Sequence, residues 1–199
     1  MSTHKRQNDT AITRRAIQAE AARLVEKGGV SALSMSKIAA TLQMTHGNIY
    51  RHFPSKGALA AEIAAGWMAE MRAACEAAIA GPSDARSRLY ALVRAIRSEL
   101  MRRADREDAL AIYHYVLKHK PDDAIAHHVH RRDLIVQIMT DAGWPKDEET
   151  NLQALVILDG LRFFTDPETV AAHRDADMTT RLEKLVAVLG TYIEQNAAD

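Results

Sequence analysis

One run of twelve residues combines the side-chain types and spacing needed to read a polar, charged surface: Thr45-His46-Gly47-Asn48-Ile49-Tyr50-Arg51-His52-Phe53-Pro54-Ser55-Lys56. Ile49 and Phe53 stand four apart, so a helix through this run puts both on one apolar face. His46, Gly47, Asn48, Tyr50, Arg51 and His52 are left for the other faces. Side chains of these types donate to and accept from base edges, and a major groove admits one helix. Gly47 has no side chain, so backbone can approach phosphate or base there. Lys56 stands at the head of the next helix, where its charge joins the free N–H groups and suits a phosphate.

A second group of chemically able residues is His114, His119, His127, His128 and His130. His127 and His130 are i, i+3 on one predicted helix, a spacing that can place two imidazoles on a metal. A third ligand such as His114 would have to come from the preceding helix. No cysteine is near, and Asp122 and Asp123 sit at the helix start. The favoured reading is surface or pocket-lining histidines hydrogen-bonded to water or protein, with no metal. Cys75, the single cysteine, excludes an intrachain disulfide and is expected to be a small buried residue rather than a sensor.

The elements that must position the twelve residues can be read locally. Ser34 is a helix cap ahead of Ile38, Ala39 and Leu42. Gln43-Met44 forms a tight turn, Thr45 caps the following helix at 46–52, Pro54 stops it, and Ser55 caps the next. Upstream, Ile17, Ala21, Leu24 and Val25 recur at helical spacing over 10–27, and Gly28-Gly29 ends that helix. Residues 1–9 are expected to be a mobile polar tail, with His4, Lys5 and Arg6 as an alternative basic arm. Three helices around Ile17, Leu24, Ile38, Leu42, Ile49 and Phe53 then make a small DNA-binding unit.

Over roughly residues 10–60, and most specifically over Thr45 to Lys56, the chain resembles the TetR family, the tetracycline-repressor-like regulators. Gly, Tyr, His-Phe and Ser-Lys fall at the family's spacing. One position departs: the family usually has Gly in the turn where this chain has Gln43. A positive φ there would cost Gln about 1 kcal/mol more than Gly. The resemblance implies a homodimeric transcription regulator whose last two helices form a four-helix bundle with the partner's pair.

Formal net charge is +0, but residues 1–57 carry nine Lys/Arg against three acidic residues and the remainder is acidic by the same margin. That asymmetry fits one end meeting phosphate. No apolar stretch of signal-peptide type or membrane-span length is present, so a cytoplasmic protein with no membrane partner is expected. One long helix is predicted over 55–79, with Trp67, Met68 and Met71 able to line a pocket for an apolar effector. Further helices are predicted over 84–103, 109–119, 121–142, 147–165 and 178–195, with Arg102 to Asp108 as a solvated charged break. The stretch 147–165 is apolar nearly all round, which implies burial on both sides.

The expectation is therefore all-α: a helix-turn-helix DNA-binding domain at 10–57, joined by a long helix to a ligand-binding and dimerisation domain at 58–199. DNA contacts are assigned to Ser34, Ser36, Thr45, His46, Gly47, Asn48, Tyr50, Arg51, His52 and Lys56. The effector site, for a small molecule of unknown identity, is assigned to Trp67, Met68, Met71, Tyr113, His114, Leu117 and Phe163. The homodimer interface is assigned to Leu155, Leu158, Leu161, Leu182, Val186 and Leu189. The function expected is a ligand-responsive repressor on a near-palindromic, double-stranded DNA operator, without catalytic residues or cofactor. The alternatives are a DNA-binding protein with no effector and a metal-binding enzyme built on the histidine cluster; G-x-S-x-G, H-E-x-x-H and glycine phosphate loops are all missing from the sequence.

Overall fold

The computed structural model describes residues 2–103 and 110–197, with side chains described from Ala11 onward. Among the described residues every regular element is helical. Two compact units emerge, 1–67 with 103–121, and 68–102 with 122–199.

The first unit begins with α1 (Ser2–Gly28). The expected tail at 1–9 is corrected: helix begins at Ser2, since no Gly or Pro interrupts the chain before Gly28. Gly29 turns the chain with φ 69° into a 3-10 turn, Val30–Ala32. There follow α2 (Met35–Thr41), α3 (His46–His52) and the first part of α4 (Lys56–Ala80). Ile17, Ala21, Val25, Leu33, Ile38, Ile49, Phe53 and Leu59 are buried together in this unit, while Leu24 and Leu42 are half-buried. A further 3-10 turn, Leu110–Ile112, and helix α6 (Tyr113–His119) complete it, burying Ile112, Tyr113 and Val116. Arg103, expected in a solvated break, is buried with its guanidinium 5.1 Å from the Trp67 ring centroid. The planar cation lies on an aromatic face, which offsets part of its desolvation. Residues 104–108 of that break lie outside the described residues.

The second unit takes the rest of α4 together with α5 (Ala85–Met101), α7 (Pro121–Asp141), α8 (Glu148–Thr165), α9 (Pro167–Ala172) and α10 (Thr179–Gln195). Its helices start on caps the sequence makes visible: Asp84 accepts from Ser87 N at 2.8 Å and Asp147 from Thr150 N at 2.9 Å. Helix α9 was not anticipated, although Asp166 caps it through Thr169 N at 2.9 Å and Pro167 takes the first position. Helix α5 packs on α8, α9 and α10. Its Leu89, Leu92, Val93, Ile96 and Leu100 form the centre of this core. Arg88 is buried there and donates to the Ile79 carbonyl at 2.9 Å and to Asp141 at 2.6 Å, fastening the end of α4 to α5 and α7. Gly190 lets α10 approach α5: a Cβ there would lie 2.7 Å from Arg86 Cβ and 2.9 Å from its Cα.

Candidate nucleic-acid interface

Helix α3 is placed from behind. Ile49 and Phe53 are buried, and Arg14 from α1 locks the end of the helix. Its guanidinium lies 4.1 Å from the Phe53 ring centroid, donates to the His52 carbonyl at 2.7 Å, and pairs with Glu62 of α4. Glu62 also pairs with Lys120 at 2.8 Å. Burial alone would raise the Glu62 carboxyl, but Lys120 and Arg14 together bring it below its ordinary value. Arg14 is not among the residues the sequence assigns to the interface. Its partners are 38 and 48 residues away in the chain, beyond the reach of local pattern.

The turn before α3 closes the end of α2. Gln43 N donates to the Ala40 carbonyl at 3.2 Å and Met44 N to the Ala39 carbonyl at 2.8 Å, the paired bonds of a Schellman motif. Gln43 takes the left-handed position of that motif with φ 53°. The positive φ considered for this residue is therefore present, on the motif that glycine usually fills. Thr45 caps α3 through Asn48 N at 3.3 Å, Ser34 caps α2 through Lys37 N at 3.3 Å, and Ser55 accepts from Ala58 N at 3.0 Å.

The front of α3 is open. Ser36, Thr45, His46, Gly47, Tyr50 and Arg51 are exposed, and Ser34, Asn48, His52 and Lys56 are half-buried. Asn48 accepts from Arg51 at 2.7 Å, and the His46 and Tyr50 rings stand 6.1 Å apart. Burial, then the charges of Arg51 and Arg14, hold the His52 imidazole below its ordinary value. Gln43, Met44, Thr45, Gly47, Asn48 and Arg51 surround an open depression of about 450 Å³. A Cβ built on Gly47 meets nothing within 4 Å, so nothing in the chain itself requires glycine there.

The other expected residues are distributed as follows. Trp67 and Tyr113 are buried in the first unit with rings 6.0 Å apart at 60°. His114 and Leu117, also there, are exposed. Met68 and Met71 are buried in the second unit, and Phe163 is half-buried under the Arg181 guanidinium at 4.3 Å. Leu158, Leu161, Leu182 and Val186 are buried within the second unit, and Leu155 and Leu189 are half-buried. The apolar side chains standing out on α8 and α10 are Leu152, Val156 and Val188. In the single chain α8 has one open side: Leu152, Val156, Asp159, Gly160 and Arg162 are exposed. His127, His128 and His130 share α7, and among the described residues no three His, Cys, Asp or Glu side chains are grouped so as to hold a metal. Cys75 is buried, and burial pushes its thiol up to about 11.

Two short helices joined by a Schellman turn, the second apolar behind and polar in front, form a helix-turn-helix. Residues 17–63 match the family model for bacterial regulatory proteins of the tetR family. The chain is similar over most of its length to several solved structures. A putative transcriptional regulator from Pseudomonas aeruginosa PAO1 matches at 19% identity and TM-score 0.68, covering 92% of this chain and 90% of that one. A TetR variant from Acinetobacter baumannii AYE in complex with minocycline matches at 17% and 0.59, covering 92% and 97%. BioQ in complex with its natural double-stranded DNA operator matches at 16% and 0.60, covering 92% and 98%. At these identities the likeness is one of fold. No curated protein matches the chain. Among the described residues no helix is long and apolar enough to cross a membrane.

Proposed function

We propose that this regulator is a cytoplasmic, ligand-responsive repressor that binds a near-palindromic operator as a homodimer. The observation that carries the DNA half is α3: four hydrogen-bonding side chains, His46, Asn48, Tyr50 and Arg51, stand on its front beside an unobstructed Gly47. His46 and Asn48 read base edges in this account. Ser34, Ser36, Thr45, Tyr50, Arg51, His52 and Lys56 hold the phosphates on either side. BioQ, of similar fold, is bound to an operator.

The homodimer is supported by α8 and α10. Leu152, Val156 and Gly160 follow one another at intervals of four along α8, and Val188 stands out on α10. A Cβ on Gly160 meets nothing within 4 Å, so this mid-helix glycine serves close approach by something outside the chain. The faces of Leu155 and Leu189 that remain open border this stripe; Leu161, Leu182 and Val186 support it from beneath.

Ligand response is supported by α4, which contributes residues 56–67 to the first unit and 68–80 to the second, and by cavities in the second unit. The similar TetR variant binds minocycline. An effector that weakens operator binding tenfold must itself bind tenfold more weakly to the operator complex, a coupling of about 1.4 kcal/mol. The regulatory reading is preferred to an enzyme because the polar residues gathered on α3 form a surface rather than an enclosed reaction site.

The test is an anisotropy titration with DNA flanking the protein's own gene. Tyr50→Ala and Lys56→Ala should each weaken binding by about 1–3 kcal/mol, and Lys56→Ala should flatten the salt dependence by about one unit. Unaltered affinity in both variants would reject the assignment.

A further inference from the structure

Helix α7 carries two buried side-chain nitrogens without a hydrogen-bond partner, His127 Nδ1 and Arg131 Nε, while His130 Nε2 lies 3.5 Å from Glu76 Oε1. Arg131 is the most consequential, because it keeps its charge. It donates to Thr165 Oγ1 at 2.7 Å, a neutral partner, and among the described residues no carboxylate pairs with it. Asp166 acts on it only at longer range, its Oδ2 being engaged by Thr169 N and Oγ1, each at 2.9 Å. Burial accordingly lowers the Arg131 pKa. Arg131 also lines a cavity of about 310 Å³ within the second unit, whose walls include His128, Arg162, Leu158, Pro167, Asp159 and Asp166.

A half-buried cation with no carboxylate in direct contact is only partly compensated. An anion in the cavity compensates it, and a guanidinium suits a carboxylate, which it meets with charge-assisted hydrogen bonds. The cavity is at the small end of ligand sites. Leu158 and Pro167 give it an apolar wall, while Asp159 and Asp166 oppose a doubly charged phosphate. We infer that this cavity binds the carboxylate of a small organic monoacid, with Arg131 as its principal anchor and Arg162 and His128 flanking the anion. The site stands on its own geometry; its role as the effector site rests on the ligand-responsive reading above.

The test uses hexanoate and benzoate against hexanamide and benzamide at equal ionic strength, by calorimetric titration. Each acid should bind at least about tenfold tighter than its amide. Arg131→Met should abolish that preference and Arg131→Lys should restore part of it. Because Arg131 lacks an ion-pair partner, Arg131→Met should melt no lower than wild type. Acids and amides binding alike, or acids undiminished in Arg131→Met, would overturn the inference, as would a large fall in its melting temperature, which would mark the guanidinium as structural. Acids that bind through Arg131 but leave operator affinity unchanged would keep the site and reject the ligand response. Release of operator by the neutral amides alone would keep the response and reject this site.

Discussion

Gln43 and Gly143 occupy the same place in two helix ends of one design. Each follows a helix, has positive φ, and is flanked by the paired backbone bonds of a Schellman motif. One has the residue the conformation favours and the other does not. The left-handed region costs a residue with a Cβ about 1–2 kcal/mol, and Gln43 adjoins the depression beside α3. Strain of this kind is sustained where the surroundings over-determine it, often at functional sites. Gln43→Gly should therefore raise unfolding free energy by about 1 kcal/mol after the entropic penalty of glycine is set against relief of strain. Urea denaturation reads this directly, and a destabilised variant would show that the Gln43 side chain holds the turn rather than straining it.

At the scale of elements, local signals carried most of the architecture. The caps Ser34, Thr45, Asp84 and Asp147, the stops at Pro54 and Gly143, and the long α4 all follow from short-range chemistry. Asp166 and Pro167 start α9, which lies between the helices predicted over 147–165 and 178–195. What local pattern could not reveal was set by distant partners. Arg14 behind α3, Arg103 on Trp67 and Arg131 at its cavity are arginines whose environments come from other elements. Likewise the periodicity of α8 and α10 announced apolar faces without saying which side meets the chain's own core. The two helical glycines separate those sides. Gly190→Ala forces α10 off the Arg86 backbone and should cost about 1–3 kcal/mol. Gly160→Ala meets open space in the single chain and should stabilise an isolated protomer by about 0.5–1 kcal/mol, yet weaken a dimer that packs closely there. Sedimentation equilibrium of both variants checks this; a Gly160→Ala dimer as tight as wild type would remove α8 from the interface.

For the molecule as a whole, charge is distributed unevenly at zero net charge, and one half-buried histidine links stability to pH. Burial, followed by the charges of Arg131, Arg72, His130 and His128, brings His127 down to about 4 from its ordinary 6.5. The unfolded chain then binds more protons than the folded one between those values, so stability rises with pH across that window and is lost as pH falls from 6.5 through 4. His127→Gln should flatten the melting temperature over pH 4–6.5 relative to wild type. Parallel profiles would place the acid sensitivity elsewhere.

The claim on which the account turns is that the front of α3 is shaped for DNA rather than for the fold, and Gly47 isolates it. With nothing within 4 Å of its missing Cβ, Gly47→Ala should leave the chain as stable as wild type or more so by up to about 1 kcal/mol. In the same protein the added methyl stands where backbone meets phosphate or base, and operator affinity should fall at least tenfold, about 1.4 kcal/mol. The decisive measurement is the operator titration of Gly47→Ala alongside its urea midpoint. Retained stability with lost affinity is the predicted result; undiminished operator binding by the stable variant would contradict the account.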